Sequence, residues 1–146
     1  MTAIDPTTAS VPLELSANAR RFLEAPQFAV VATLSSDGSP LQAVIWYRLD
    51  GAEIVFNGRL GRHWPSNLQR DRRVSITVAD GYDYVHLRGE VEIDEEPERG
   101  QTVTAQLTHR YQPDREIADA WIAGSQKERR MTFRLRPTKV FERLSD

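Results

Sequence analysis

The stretch FAVVATLSSDGSPLQAVIWYRLDGAEIVFN, residues 28–57, contains three apolar runs separated by two turn signals. The runs at 28–34, 41–49 and 53–56 are rich in β-branched and aromatic residues, which favour extended backbone. Ser-Ser-Asp-Gly after the first run and Asp-Gly after the second are typical of tight turns between antiparallel strands. The stretch therefore predicts an antiparallel meander of three strands, around which the rest of the fold is arranged.

Further strands and helices are expected on both sides of this meander. Residues 84–93 alternate cleanly, with Val85, Leu87 and Val91 on one face and polar residues on the other. Ser16 is a suitable N-cap for a first helix, which Pro26 would end. The remaining strands are predicted at residues 74–78, 131–136 and 140–141, and helices at 17–25, 95–111 and 115–123.

The predicted elements fit one domain over residues 14–146, preceded by a flexible arm over residues 1–13 that is rich in Thr, Ala, Ser and Pro. Antiparallel strands at these spacings close into a barrel or a sandwich, because closure removes edges that would aggregate. The fold is therefore expected to be mainly β, with six or seven antiparallel strands and short peripheral helices.

The second run is apolar on both of its faces. Leu41, Ala43 and Ile45 lie on one face, and Val44 and Trp46 lie on the other. A barrel interior covers only one face of a strand, so the other face is expected to lie against a second subunit, a ligand or a helix. A homodimer is the first expectation.

Composition excludes several classes of protein. The 146 residues contain no cysteine, which removes disulfides and thiolate metal sites, and no metal site is predicted. A net charge of −2 disfavours nucleic acid as a partner, although a local basic cluster can still bind one small anion. No apolar run is long enough to span a membrane, and the first dozen residues lack a signal-peptide pattern, so a cytoplasmic protein is expected.

That basic cluster is the stretch NGRLGRHWPSNLQRDRR, residues 57–73. Gly58 and Gly61 allow main-chain N–H groups to converge, and Pro65 suits the first turn of a following helix. A helix N-terminus beside Arg59 and Arg62 makes an anion site, most naturally for a phosphate. The alternative is an ordinary arginine-rich surface turn, since no established phosphate-loop spacing is present.

No catalytic side chain is predicted. The chain has no GxSxG motif and no cysteine, and its three histidines at positions 63, 86 and 109 are far apart in the sequence. His63 could donate a proton or bind an anion, or it could be an exposed residue of the turn. His86 and His109 are predicted to be structural.

The meander, the basic turn GRHWPSNLQRDRRVSITV and the strand YDYVHLRGEVEI together resemble the pyridoxamine-phosphate-oxidase-like split barrels, over roughly residues 16–143. The pieces VATLSSDGSPLQAVIWY and GR..PSNLQRDRRVS look most like the flavin and deazaflavin oxidoreductases that use coenzyme F420. The resemblance implies a homodimeric split β-barrel with two cofactor sites at the interface. It also implies that the cofactor phosphate rests on the turn and helix that follow the third strand.

Carried onto this sequence, the resemblance implies two groups of cofactor-binding residues. Those along the tricyclic ring are Gln42, Ala43, Val44, Ile45 and Trp46. Those at the phosphate end are Asn57, Gly58, Arg59, Gly61, Arg62, His63 and Asn67. The oligoglutamate tail of F420 would need further basic residues, for which the candidates are Arg48, Arg70, Arg72 and Arg73.

Trp64 departs from the family pattern, because many relatives have a lysine or arginine there. It could stack on the cofactor, or it could serve only for packing. The leading hypothesis is an oxidoreductase that uses reduced F420 to deliver a hydride to a small unsaturated organic substrate. The alternatives are an FMN-dependent oxidase or reductase of the same fold, and a carrier or sensor of a flavin or deazaflavin that performs no turnover.

Overall fold

A computed structural model of the chain describes residues 13–145. Of the predicted N-terminal arm, residues 1–12 lie outside the described residues. The strands are β1 Ala29–Leu34, β2 Pro40–Ile45, β3 Arg48–Asp50, β4 Glu53–Arg59, β5 Arg73–Asp80, β6 Asp83–Asp94, β7 Arg130–Leu135 and β8 Lys139–Arg143. The helices are α1 Ala17–Glu24, α2 His63–Arg70, α3 Pro97–Tyr111 and α4 Arg115–Ser125.

All eight strands belong to one antiparallel sheet with the order β2-β1-β5-β6-β7-β4-β3, and β8 also pairs with β6. The long strand β6 joins the two halves, because Tyr84–Arg88 pairs with β8 and Val91–Asp94 pairs with β7. A strand shared in this way curls the sheet into a half-barrel. The predicted mainly β, split-barrel fold is confirmed.

The number of strands differs from the prediction because residues 41–49 do not form one strand. The run is broken at Trp46 and Tyr47, which lie between β2 and β3. Tyr47 is fully buried and its hydroxyl donates a hydrogen bond to the Leu23 carbonyl oxygen at 2.9 Å. Its amide donates to the Tyr111 hydroxyl at 3.2 Å instead of continuing the strand ladder. The chain therefore changes partner strand here, and residues 13–145 form eight strands where six or seven were predicted.

The core fills the concave side of the half-barrel with side chains that alternate along the strands. Val31, Ile76, Leu87 and Phe133 are all fully buried there. The first helix begins as predicted, because the Ser16 hydroxyl accepts a hydrogen bond from the Ala19 amide at 3.0 Å. None of the helices in the described part of the chain is long and apolar enough to cross a membrane.

The convex side of the sheet has a row of partly exposed, mostly apolar side chains. The strand register aligns Val44, Val30, Thr77, His86 and Phe141 across five neighbouring strands. Val44 is 68% exposed and Phe141 is 51% exposed. We call these five residues the outer row. Its apolar members are Val30, Val44 and Phe141, and exposed apolar side chains grouped on one surface are a feature of protein interfaces.

Candidate functional site

A cavity of about 590 Å³ lies where β2, β4 and α2 meet α3, α4 and the start of β7. Its volume is typical of a small-molecule site. The cavity is cationic at one end and apolar at the other. It is lined by Val44, Ile45, Trp46, Asn57, Gly58, Arg59, Arg62, Trp64, Thr104, Leu107, Thr108, Ala120, Trp121, Gly124, Ser125, Glu128 and Arg130.

The cationic end contains Arg59, Arg62 and Arg130. Arg59 ends β4 and is paired with Arg130 at the start of β7, so the strand ladder sets their separation. Arg62 is the N-cap residue of α2 and is exposed. Three guanidinium groups beside a helix N-terminus favour an anion with several acceptor oxygens.

Asn57 links this end of the cavity to α3. Its side-chain nitrogen donates to the Thr104 hydroxyl at 2.7 Å, and its side-chain oxygen accepts from Arg130 Nη1 at 3.4 Å. α3 can come this close to β7 because of Gly100, where a Cβ would lie 2.5 Å from the Arg130 carbonyl oxygen. The position of Arg130 therefore depends on both the strand and the helix.

The apolar end contains Val44, Trp46 and Trp121. Trp46 stacks on Trp121 with ring centroids 6.4 Å apart and on Tyr111 with centroids 5.0 Å apart. Phe28 stacks on the other side of Tyr111 at 6.1 Å. Both ends of this column are exposed, Trp121 to 50% and Phe28 to 64%. This end of the cavity is therefore an apolar, aromatic surface that suits a planar ring.

The basic turn packs tightly against β4. A Cβ on Gly58 would lie 2.6 Å from Pro65 and 2.7 Å from the Trp64 ring. Trp64 packs against Phe56 and Phe133, with centroids 5.7 and 5.4 Å away. The ring of Trp64 thus packs on the core and also contributes one side of the cavity.

The structure brings together eight of the residues predicted for the site, namely Val44, Ile45, Trp46, Asn57, Gly58, Arg59, Arg62 and Trp64. Five others do not line the cavity: Gln42, Ala43, Gly61, His63 and Asn67. The amide of Asn67 is buried and is used within the chain, donating to Thr33 at 3.1 Å and accepting from Arg70 at 2.9 Å. His63 is exposed at the start of α2.

Sequence reasoning missed the contribution of the C-terminal half of the chain to the cavity. Arg130, Glu128, Trp121 and Thr104 come from α3, α4 and the segment that follows them. No local motif marks them, because the long-range pairing of β4 with β7 places them beside the basic turn. The signal that was available was Trp121, a large aromatic residue in a helix that also contains Ile117 and Ile122.

Two of the arginines proposed for a cofactor tail are bound elsewhere in the chain. Arg70 donates to the Leu34 carbonyl oxygen at 2.7 Å, and Arg73 pairs with Asp71 at 2.7 Å. Hydrogen bonds from Arg73 lower the pKa of Asp71 to about 2. Within residues 13–145, no group of three or more His, Cys, Asp or Glu side chains is arranged to hold a metal ion.

Comparison with known proteins places the chain among related folds. The family model described as pyridoxamine 5'-phosphate oxidase matches residues 15–143. An F420 reductase structure is 25% identical, with a TM-score of 0.69 over 87% of this chain and 98% of that one. A conserved hypothetical protein from Mycobacterium tuberculosis is also 25% identical, with a TM-score of 0.74 over 91% of this chain and 86% of that one.

The Group A Streptococcus protein HupZ shares only the fold, at 17% identity and a TM-score of 0.62 over 88% of this chain and 93% of that one. No curated protein sequence matches the chain significantly. The family match covers nearly all of the described residues and agrees with the half-barrel and its strand order. The chain belongs to the pyridoxamine 5'-phosphate oxidase family.

Proposed function

We propose that the chain is an oxidoreductase that binds coenzyme F420 in this cavity and catalyses hydride transfer to a small unsaturated organic substrate. The observation that carries the proposal is the distribution of charge in the cavity, which has three arginines at one end and the aromatic residues Trp46 and Trp121 at the other. A phosphorylated deazaflavin has the same division between an anionic tail and a planar ring. The similarity to an F420 reductase supports the same cofactor.

The residues present fit such a cofactor. Arg59, Arg62 and Arg130 would hold its phosphate, and each charge-assisted hydrogen bond would contribute about 1.5–3 kcal/mol. Val44, Ile45 and Trp46 would lie along its ring. When bound and reduced, the cofactor supplies the hydride, and a proton from water completes the reduction of the substrate double bond.

In this reaction the protein would orient the cofactor ring and exclude water from it. Trp46 and Trp121 offer apolar surface to a planar ring, and the cationic end fixes which way the ring points. No side chain is assigned a proton-transfer role, because His63 is exposed and does not line the cavity. This division of labour suits a reaction whose bond-making atom belongs to the cofactor.

We also propose that two copies associate through the outer row. Val44 belongs both to this row and to the cavity lining, so a second copy placed on the row would cover the open side of the cavity. Val30 and Phe141, which are 37% and 51% exposed, would be buried by the same contact. The site would then be complete only in the dimer.

FMN is the alternative cofactor, since it also joins a planar ring to a phosphate. A carrier or sensor without turnover is the third possibility. The test is anaerobic oxidation of reduced F420 with menadione and cyclohex-2-enone as acceptors, using wild-type protein, Arg62→Ala, and Arg21→Ala as a control, since Arg21 is exposed on α1 and does not line the cavity. We expect protein-dependent oxidation that Arg62→Ala impairs and Arg21→Ala does not.

Two other outcomes would contradict parts of this proposal. If F420 binds but its reduced form is not oxidised with either acceptor, the carrier or sensor would be favoured. Binding of FMN in preference to F420 would move the protein to the flavin-dependent alternative.

A further inference from the structure

Glu128 lies within the cationic end of the cavity and contacts two of its three arginines. One carboxylate oxygen, Oε2, accepts a hydrogen bond from Arg130 Nε at 2.9 Å and forms an ion pair with Arg130 Nη2 at 2.6 Å. The other oxygen, Oε1, is 3.9 Å from Arg59 Nη1. A single carboxylate therefore bridges the guanidinium groups at the ends of β4 and β7.

Glu128 is the one acidic side chain among the described residues that line the cavity. An anion bound by both Arg59 and Arg130 would need the space and the N–H donors that this carboxylate now uses. A second anion beside it would also meet like-charge repulsion. The carboxylate and an external anion therefore compete for the same pair of arginines.

The backbone near Glu128 is held independently of its side chain. The Gln101 side-chain nitrogen donates to the Glu128 carbonyl oxygen at 2.8 Å and to the Ser125 carbonyl oxygen at 3.3 Å. These bonds tie the segment after α4 to α3. Rotation of the Glu128 side chain would free both arginines without moving the segment.

We propose that Glu128 is a specificity-determining residue of the anion site, acting as an internal anion that an incoming phosphate must displace. The inference rests on the proposed function in that it takes the arginine end as the phosphate site. Exchange of one carboxylate for another brings no net charge gain, so a monocarboxylate ligand is disfavoured. A phosphate carries more charge and has three acceptor oxygens, so it can overcome the displacement.

The test is calorimetric titration with inorganic phosphate of wild-type protein, Glu128→Gln, Glu128→Ala, and Glu14→Gln as a control. Glu14 is exposed and lies outside the cavity, and its substitution changes the net charge by the same amount. Glu128→Gln and Glu128→Ala are expected to tighten phosphate binding about tenfold, the effect of one charge-assisted contact. Glu14→Gln should leave it unchanged.

Thermal unfolding checks that both Glu128 variants are folded. If the folded variants bind phosphate as tightly as wild type or less tightly, the inference is overturned and Glu128 instead orients Arg130 for binding. Titration of the same proteins with F420 distinguishes a failure of the role proposed for Glu128 from a failure of the proposed function. Tighter phosphate binding without F420 binding would support the role of Glu128 and reject the cofactor. Absence of binding of either ligand to any of the proteins would reject both.

Discussion

The rings of Trp46 and Tyr111 stack with centroids 5.0 Å apart and planes 4° from parallel. The Tyr111 hydroxyl donates to the Gln27 carbonyl oxygen at 2.5 Å and accepts from the Tyr47 amide at 3.2 Å. One residue at the end of α3 therefore holds the break between β2 and β3 and supports the aromatic wall of the cavity. The second strand has to end at Ile45 for Trp46 to take this position.

Replacing Tyr111 with phenylalanine should destabilise the protein. The ring and its stacking on Trp46 would remain, but the Tyr47 amide would lose its acceptor, at a cost of about 1–3 kcal/mol. Urea unfolding measures the change in the free energy of unfolding. Tyr82→Phe is the matched control, because Tyr82 is 88% exposed and its substitution should change stability by less than about 0.5 kcal/mol. Equal effects of the two substitutions would contradict the assigned role of Tyr111.

Replacing Gly58 with alanine should disturb the basic turn. The added methyl group would lie 2.6 Å from Pro65 and 2.7 Å from the Trp64 ring, so α2 must shift away from β4 at a cost of about 1–3 kcal/mol. Gly124→Ala is the control, since nothing lies within 4 Å of a Cβ there and alanine is the better helix former. The thermal unfolding temperature should fall for Gly58→Ala and should not fall for Gly124→Ala. A Gly58→Ala protein as stable as wild type would show that the turn does not pack as described.

Arg130→Gln should weaken binding of a phosphate ligand about tenfold, because it removes one charge-assisted contact at the end of β7. The neighbouring residue Arg129 is exposed and does not line this cavity, so Arg129→Gln should have little effect. Fluorescence titration of both variants with the cofactor compares them at the same net charge. Similar losses for both would indicate a general charge effect and would reject a specific role for Arg130.

The stability of the protein should decrease in mild acid because of His86. Burial, with a smaller contribution from the Arg88 cation, lowers the pKa of His86 below its usual 6.5. The unfolded chain then binds the proton more tightly than the folded chain. The contribution of His86 to stability is therefore present above about pH 6.5 and is lost as the pH falls through its lowered pKa.

Urea unfolding at pH 7.5 and 5.5, at one protein concentration, tests this dependence. His86→Gln should reduce the difference in unfolding free energy between the two pH values. His63→Gln should keep the wild-type difference, because His63 is exposed at the start of α2. A wild-type difference that survives in His86→Gln would assign the acid sensitivity to other groups.

The strands that could be predicted from the sequence are those whose apolar pattern reflects one buried face. Residues 84–93 alternate because one side of β6 faces the core, and the prediction there is within one residue of the observed strand at each end. The prediction of one strand over residues 41–49 was wrong because Trp46 and Tyr47 do not belong to a strand face. They pack against Tyr111, Arg110 and Leu23, which a local pattern does not reveal.

The part of the candidate site that could be predicted is likewise the part with a local sequence pattern. The cavity residues of β2, β4 and the basic turn lie in one continuous part of the sequence, where glycine, arginine and aromatic residues form a readable pattern. Arg130 and Glu128 are brought to the site because Arg130 pairs with Arg59. Strand β7, which begins at Arg130, lies four strands from β2 in the sheet order. Only tertiary structure reveals that the cationic end is shared between two strands and contains its own carboxylate.

Whether this cavity binds F420 is tested most directly by titrating the purified wild-type protein and Arg62→Ala with F420 and following the fluorescence of the ligand. We expect a wild-type dissociation constant well below about 100 μM, equivalent to about −5.5 kcal/mol, and binding about tenfold weaker for Arg62→Ala. Wild-type binding weaker than that limit, or binding that Arg62→Ala leaves unchanged, would contradict the assignment of this cavity as the F420 site.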